Sequence, residues 1–248
     1  GAEQFVAVKS LRRLHGGKSL ARGDYNKNKD KINEVLSNRV KENCAYENVY
    51  TLALRGLHDA AMGGGDVPMR EKVKMLESAL NAQREIIARH IDKPVETIPQ
   101  AFTPYKEVLE IYSNGLELPD DVTIIWADDN FGYIKRLNNK EERNRKGGSG
   151  VYYHISYLGE PHDYLWLNTT PPALMFEEMH KAYDTGAKRY WLLNVGDIKP
   201  GELGMKTFLD MAWDIDKFNF DNINNHQVDF LALREQTFLA GELSEVGI

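Results

Sequence analysis

Five polar clusters in this sequence each follow directly on a run of β-forming residues, and their side chains are of types that move protons and hold sugars. Arg55, Gly56, His58 and Asp59 follow the run at 48–54, and Tyr105, Lys106 and Glu107 follow 98–102. Asp128, Asp129 and Asn130 follow 122–127; Tyr157, His162 and Asp163 follow 151–155; Asn194 and Asp197 follow 190–193. Other chemistries drop out by inspection. No Gly-x-Ser-x-Gly elbow occurs, and the single cysteine, Cys44, stands by a helix end as a small buried filler. The seven histidines contain no i, i+4 pair and no His-Glu-x-x-His, so no metal or other cofactor is indicated, although His58–Asp59 or His162–Asp163 could join a carboxylate–imidazole site. Gly63-Gly64-Gly65 lacks the Lys-Ser/Thr of a phosphate loop; it and Gly147-Gly148-Ser149-Gly150 read as flexible turns.

What remains is carboxylate chemistry. Asp59, Glu107 and Asp128 come from different loops, with Tyr105, Trp126, Tyr133, Tyr152, Tyr153, Tyr157, Tyr164 and Trp166 interleaved. Two carboxyl groups in an aromatic cleft are what glycoside hydrolysis needs. One donates a proton to the leaving oxygen, while the other activates water or attacks. Arg55 and Lys106 in the same space favour an anionic group on the sugar, such as a carboxylate. Taken singly, Asp129, Asp163 and Asp197 read better as turn and cap residues, and His180 as a structural or solvated helix residue.

The elements that must position these residues alternate between strand and helix. Apolar spacing predicts helices over Lys27–Val40, Met69–His90, Pro104–Tyr112 (with Pro at its first turn), Thr170–Gly186 (capped by Thr170), from Lys206 to Trp213, and over Asp221–Phe238. Strands are predicted over Asn48–Leu54, Ile98–Phe102, Val122–Ala127, Val151–Tyr157 and Tyr190–Val195. Alternation of this kind implies parallel strands joined by crossovers, whose strand-end loops converge on one edge. Five βα units are legible where a closed eight-stranded barrel needs about eight, leaving an open doubly wound sheet or a barrel with pieces missing. The chain has 248 residues, 42% of them hydrophobic, enough for a sizeable core. Lys plus Arg number 31 against 37 Asp plus Glu, a net charge of −6, so no global basic field invites nucleic acid, and no apolar run approaches a membrane span.

Longer blocks carry a family resemblance. Asp128-Asp-Asn-Phe-Gly-Tyr133, Gly147-Gly-Ser-Gly-Val-Tyr-Tyr-His-Ile-Ser-Tyr157, Pro161-His-Asp-Tyr-Leu-Trp166 and Asn194-Val-Gly-Asp-Ile-Lys-Pro200 closely resemble the family-115 glycoside hydrolases, and Tyr46–Tyr50, Arg55–Asp59 and Pro104–Glu107 fit too. The resemblance runs from about Tyr25 to Trp213. It implies a TIM-like (β/α) barrel, incomplete here, with the later βα units present and the first strands missing. Residues 1–24 are then an unassigned N-terminal segment, and 25–248 the catalytic barrel portion of a longer multidomain chain.

The implied activity is inverting removal of α-linked glucuronic acid or its 4-O-methyl ether from xylan side chains. Motif matching puts the carboxylates at Asp59, Glu107 and Asp128, with Glu107 favoured as general acid and Asp59 or Asp128 positioning or activating water, and the pocket at Arg55, Lys106, Asn130, Tyr157, His162 and Asn194. The implied partner is a glucuronic-acid-bearing xylan polysaccharide or oligosaccharide, and the implied setting secretion or the periplasm of a plant-cell-wall-degrading bacterium. Two alternatives stand beside it: a sugar-binding barrel fragment without turnover, and a metal-dependent barrel enzyme acting on sugars.

Overall fold

In the computed structural model the strands and helices alternate as the pattern requires. The structure describes residues 4–6, 25–55, 62, 67–160, 162–165, 167–226, 228 and 232. The elements are β1 (Gln4–Val6), α1 (Tyr25–Asn43), β2 (Asn48–Thr51), α2 (Met69–His90), β3 (Gln100–Phe102), α3 (Glu107–Ser113), β4 (Thr123–Ala127), β5 (Ser149–His154), α4 (Pro172–Asp184), β6 (Trp191–Asn194) and α5 (Ile198–Trp213). Backbone packing groups them into two compact units, Gly1–Trp126 with Lys140–Ser149, and Ala127–Asn139 with Gly150–Ile248.

The first unit is an α/β layer of parallel strands in chain order. Gln4 pairs with Asn48, Tyr50 with Gln100, and Ala101 with Thr123. Its core is set by α2, whose buried Val73, Leu76, Leu80, Gln83 and Ile87 recur every three or four residues. Glu71 in the first turn and Arg89 and His90 in the last suit the helix dipole, and the extended Ile91 ends the helix. Val73, Leu76, Leu80 and Ile87 pack with Phe102, Ile111 and Val122, all at most 2% exposed apart from Val73. Arg84 grips Asp121 with two nitrogens at 2.7 and 3.1 Å and Gln100 Oε1 at 3.0 Å, tying α2 to the start of β4.

In the second unit β5 and β6 run parallel, with Val151 opposite Trp191 and His154 opposite Asn194. Tyr153 stacks on Phe208 of α5 at 5.9 Å and 19°, and Met175, Phe176 and Met179 of α4 are buried. Gly186 ends α4 as the sequence suggests. Its φ is +93°, it donates to the Tyr183 carbonyl, and Ala187 donates to that of Ala182, which is the paired bonding of a Schellman stop.

Several boundaries differ from the sequence expectation, each for a local reason. The third helix starts at Glu107 and not Pro104, because Lys106 takes a positive φ that no helix accommodates. The residue preceding α4 is Pro171, in extended geometry with no side-chain cap, so Thr170 does not cap it. Helix α5 begins at Ile198, eight residues before Lys206. Pro200 and Gly201 read as breakers, but a proline is tolerated in a first turn, where its missing N–H has no partner to lose. Gly150 lies inside β5 and not in a flexible turn. A Cβ there would stand 2.0 Å from the Tyr190 carbonyl oxygen, so only glycine lets the neighbouring backbone approach. Cys44 is half-buried, with its thiol 3.2 Å from the Lys41 carbonyl. No helix among the described residues is long and apolar enough to cross a membrane, and the helix expected over Asp221–Phe238 lies largely outside them.

Candidate active site

In the first unit, the residues after β2 and β3 are drawn together. Gln83 of α2 clamps the backbone just past β2: Ala53 N–H donates to its Oε1 at 3.0 Å and its Nε2 donates to the Ala53 carbonyl at 2.7 Å. Two residues on, Arg55 donates through Nε to Glu107 Oε1 and through Nη2 to Oε2, both at 3.1 Å. This is a forked guanidinium–carboxylate pair, with side chains 19% and 21% exposed. The Tyr105 ring lies 5.4 Å from the Arg55 guanidinium carbon and 5.1 Å from Lys106 Nζ. The structure thus joins Arg55, Lys106 and Glu107 in one cationic and aromatic cluster. In this arrangement Glu107 is an acceptor on both oxygens. Asp59, expected beside them, lies outside the described residues.

Lys106 has φ +51° and ψ −124°, a conformation whose cost is about 1–3 kcal/mol for a residue with a Cβ. Asn130 is the other non-glycine with positive φ among the described residues, at +74°. Both stand in strand-end loops that the sequence marks for chemistry. Lys106→Gly is therefore expected to raise stability by about 1 kcal/mol, after the added chain entropy of glycine is deducted. A thermal midpoint that falls instead would mean the lysine side chain outweighs the strain.

The second unit gathers the remaining residues around Asp128. Its Oδ1 accepts from the Asn130 N–H at 3.0 Å and from His154 Nδ1 at 2.5 Å. Its Oδ2 accepts from the N–H groups of Gly132 at 3.2 Å and His154 at 2.9 Å. The side chain has no exposed surface, and that of His154 is 3% exposed. The His154 ring lies 4.6 Å from that of Tyr152, whose hydroxyl accepts from Asn194 Nδ2 at 2.9 Å, and 5.9 Å edge-on from Tyr157. Phe131 packs against Tyr157, His162 and Tyr164 at 5.3–5.8 Å, and the Tyr164 hydroxyl donates to the Asn130 carbonyl. Asp128, Asn130, Tyr157, His162 and Asn194 thus share one network.

Sequence reading counted Tyr152 among the interleaved aromatics but missed His154 as part of that network. It carried the strand on to Tyr157, whereas β5 ends at His154, so the residue at the true strand end went unexamined. Several aromatics counted as sugar-facing are core: Trp126 is 1% exposed and Tyr153 fully buried. Asp129 and Asp163 accept backbone N–H groups from Phe131, Tyr133 and Gly159, as turn residues do. His180 lies in α4 with its ring 4.2 Å from that of Phe176. Trp166 and His58 lie outside the described residues. Among the described residues no three His, Cys, Asp or Glu side chains cluster to hold a metal ion.

The hydroxyls of Tyr153 and Tyr164 are pushed up from the ordinary value of 10.0, first by burial and next by the negative Asp128. A group whose folded pKa is raised contributes stability fully below its unfolded value and loses that contribution as pH rises. The thermal midpoint is therefore expected to fall as pH climbs above about 10. Tyr153→Phe should make the fall shallower. An equally steep alkaline fall in that variant would assign it to other groups.

Comparison with known proteins gives a consistent picture. The model of the family described as glycosyl hydrolase family 115 matches residues 9–245. It reaches beyond the Tyr25–Trp213 span of the sequence resemblance at both ends. A solved structure described as a novel family GH115 4-O-methyl-alpha-glucuronidase with specificity for decorated arabinogalactans is 46% identical, with a TM-score of 0.78 over 83% of this chain. This chain covers 27% of that one, about a quarter of its length. No curated protein matches.

Proposed function

The chain belongs to glycosyl hydrolase family 115, and from that membership we propose that it carries the later βα units of a TIM-like catalytic barrel that removes α-linked glucuronic acid or its 4-O-methyl ether from a polysaccharide. The observation that carries this reading is the Arg55–Glu107 pair beside Tyr105 and Lys106. A guanidinium with its fork already set to a carboxylate suits the C6 carboxylate of a uronic acid, and a tyrosine ring suits a sugar's C–H face. Glu107 is the favoured general acid. Its oxygens accept from Arg55, so a uronate that competes for Arg55 also frees Glu107 to carry a proton.

Asp128 has its acceptor positions filled and no exposed surface, which supports a holding role over direct proton transfer. Inversion requires a single displacement by water, and so direct release of the β-anomer. Xylan is the expected carrier of the sugar. The solved relative's described specificity makes decorated arabinogalactan the comparison substrate. A polymer of this kind lies outside the cell that degrades it, which motivates export to the periplasm or beyond.

The reading is tested by a proton NMR time course of the chain with 4-O-methylglucuronoxylan. Dispersed protein methyl signals report folding and the anomeric region reports chemistry. Immediate appearance of the β-anomer of the free acid is the expected result. The α-anomer appearing first would remove the inverting assignment. Dispersed methyls with no new anomeric signal would point to binding without turnover.

A further inference from the structure

We propose that the far end of α5 carries a second sugar site, a cleft that holds a neutral stretch of polysaccharide against Trp213. The choice of sugar rests on the glycosidase reading above, but the binding itself needs no turnover. Helix α5 runs from Ile198 to Trp213, so its last residue stands about 24 Å along the axis from the end that follows β6. There a cavity of about 370 Å³ opens between the last turn of α5 and the segment 214–226, within the size range of small-molecule clefts.

One wall is apolar. Trp213 is 88% exposed and Phe218, also lining the cavity, is buried. An indole left this open presents a flat apolar face on which the C–H groups of a pyranose ring can pack. The other wall is polar and charge-balanced. Asp210 Oδ2 accepts from Lys206 Nζ and stands 3.0 Å from His226 Nε2, while Asp214 Oδ2 lies 3.3 Å from Lys217 Nζ. Oδ1 of each carboxylate has no hydrogen-bond partner among the described residues. Two carboxylates set against two ammonium groups leave little field to attract an ion. A hydroxyl both donates and accepts, so neighbouring sugar hydroxyls can satisfy an Asp214 oxygen and the Lys217 ammonium together.

The wall is held in place by the chain itself. Asn222 Oδ1 accepts from the Asn219 N–H at 2.9 Å, and its Nδ2 donates to the Lys217 carbonyl at 2.7 Å. Ile215 and Ile223 are buried, and the Phe218 and His226 rings meet edge-on at 5.0 Å. A cleft fixed in this way loses little conformational freedom when a ligand docks. Holding the polymer at a second point raises its effective concentration at the chain.

The Trp213 indole N–H reports on the site in the ¹⁵N-labelled full chain, its signal assigned by its loss in Trp213→Phe. Xylohexaose and a galacto-oligosaccharide, neither carrying a uronic acid, are the probes. At least one should shift that signal saturably while leaving that of the buried Trp126 in place. Asp214→Ala, which removes a half-exposed side chain and keeps the reporter, should weaken the affinity read from the shift about tenfold. A Trp213 signal that neither sugar moves overturns the proposal, as does an affinity unchanged in Asp214→Ala. So does a signal that tetramethylammonium or free glucuronate moves and the neutral sugars do not, for the cleft is then an ion site. Uronic acid release without a Trp213 response defeats this inference alone. A Trp213 response without release keeps the site and removes the glycosidase reading.

Discussion

Glu107→Gln should leave a folded chain that releases glucuronate about 10²–10⁴-fold more slowly than wild type, a barrier rise of about 3–5.5 kcal/mol. Glutamine keeps the shape and one oxygen acceptor for Arg55, but it has no proton to lend the leaving oxygen. The stability change should stay near 1–3 kcal/mol, the range for losing a hydrogen bond to a charged partner on side chains still about one-fifth exposed. The decisive comparison is between leaving groups. A glucuronide of an acidic phenol needs little protonation and should lose far less rate than glucuronoxylan. Wild-type release from xylan by a well-folded Glu107→Gln protein would remove Glu107 from the chemistry.

Asp128→Ala carries the largest expected effect on stability. The carboxylate is the shared acceptor for the N–H groups of Asn130, Gly132 and His154 and for the His154 ring. Alanine leaves four donors facing a space with no acceptor, at a cost of about 3–5 kcal/mol. For a chain of this size that is a fall in thermal midpoint on the order of 10 °C. Asparagine should recover only part, because its amide NH₂ replaces an oxygen where donors converge. A midpoint within about 2 °C of wild type in Asp128→Ala would mean that those donors find other acceptors.

These two carboxylates mark where sequence reading reaches and where it stops. Both follow β-forming runs, and the rule that parallel strands present functional loops at one edge picks out both. What separates them is packing. Asp128 is enclosed by groups from 26 residues downstream, and no local pattern announces that His154 will fold back onto it. Helix α2 was legible to the residue because its apolar period, charged ends and following proline agree. Helix α3 was not, since a backbone angle at Lys106 overrides the helix signal of Pro104. In the Gly147–Gly150 stretch Gly147 lies in a turn and Gly148 has φ +63°, as a turn reading expects, and it is Gly150 that misled, for the converse reason. Glycine there answers a neighbour's approach and not a need for flexibility, and that neighbour, Tyr190, is 40 residues away.

The two units are interleaved along the chain: Ala127–Asn139 belongs to the second, Lys140–Ser149 returns to the first, and Gly150 onward to the second again. During synthesis neither unit can close in the order it is made. The first waits for Arg145, whose guanidinium bonds the carbonyls of Leu118, Pro119 and Val122, and Asp128 waits for His154 to leave the ribosome. At about 5–20 residues per second that carboxylate stays without its imidazole for a second or more. A protease nick or a gene truncation anywhere between 127 and 149 would damage both units, so neither can be excised as one continuous piece.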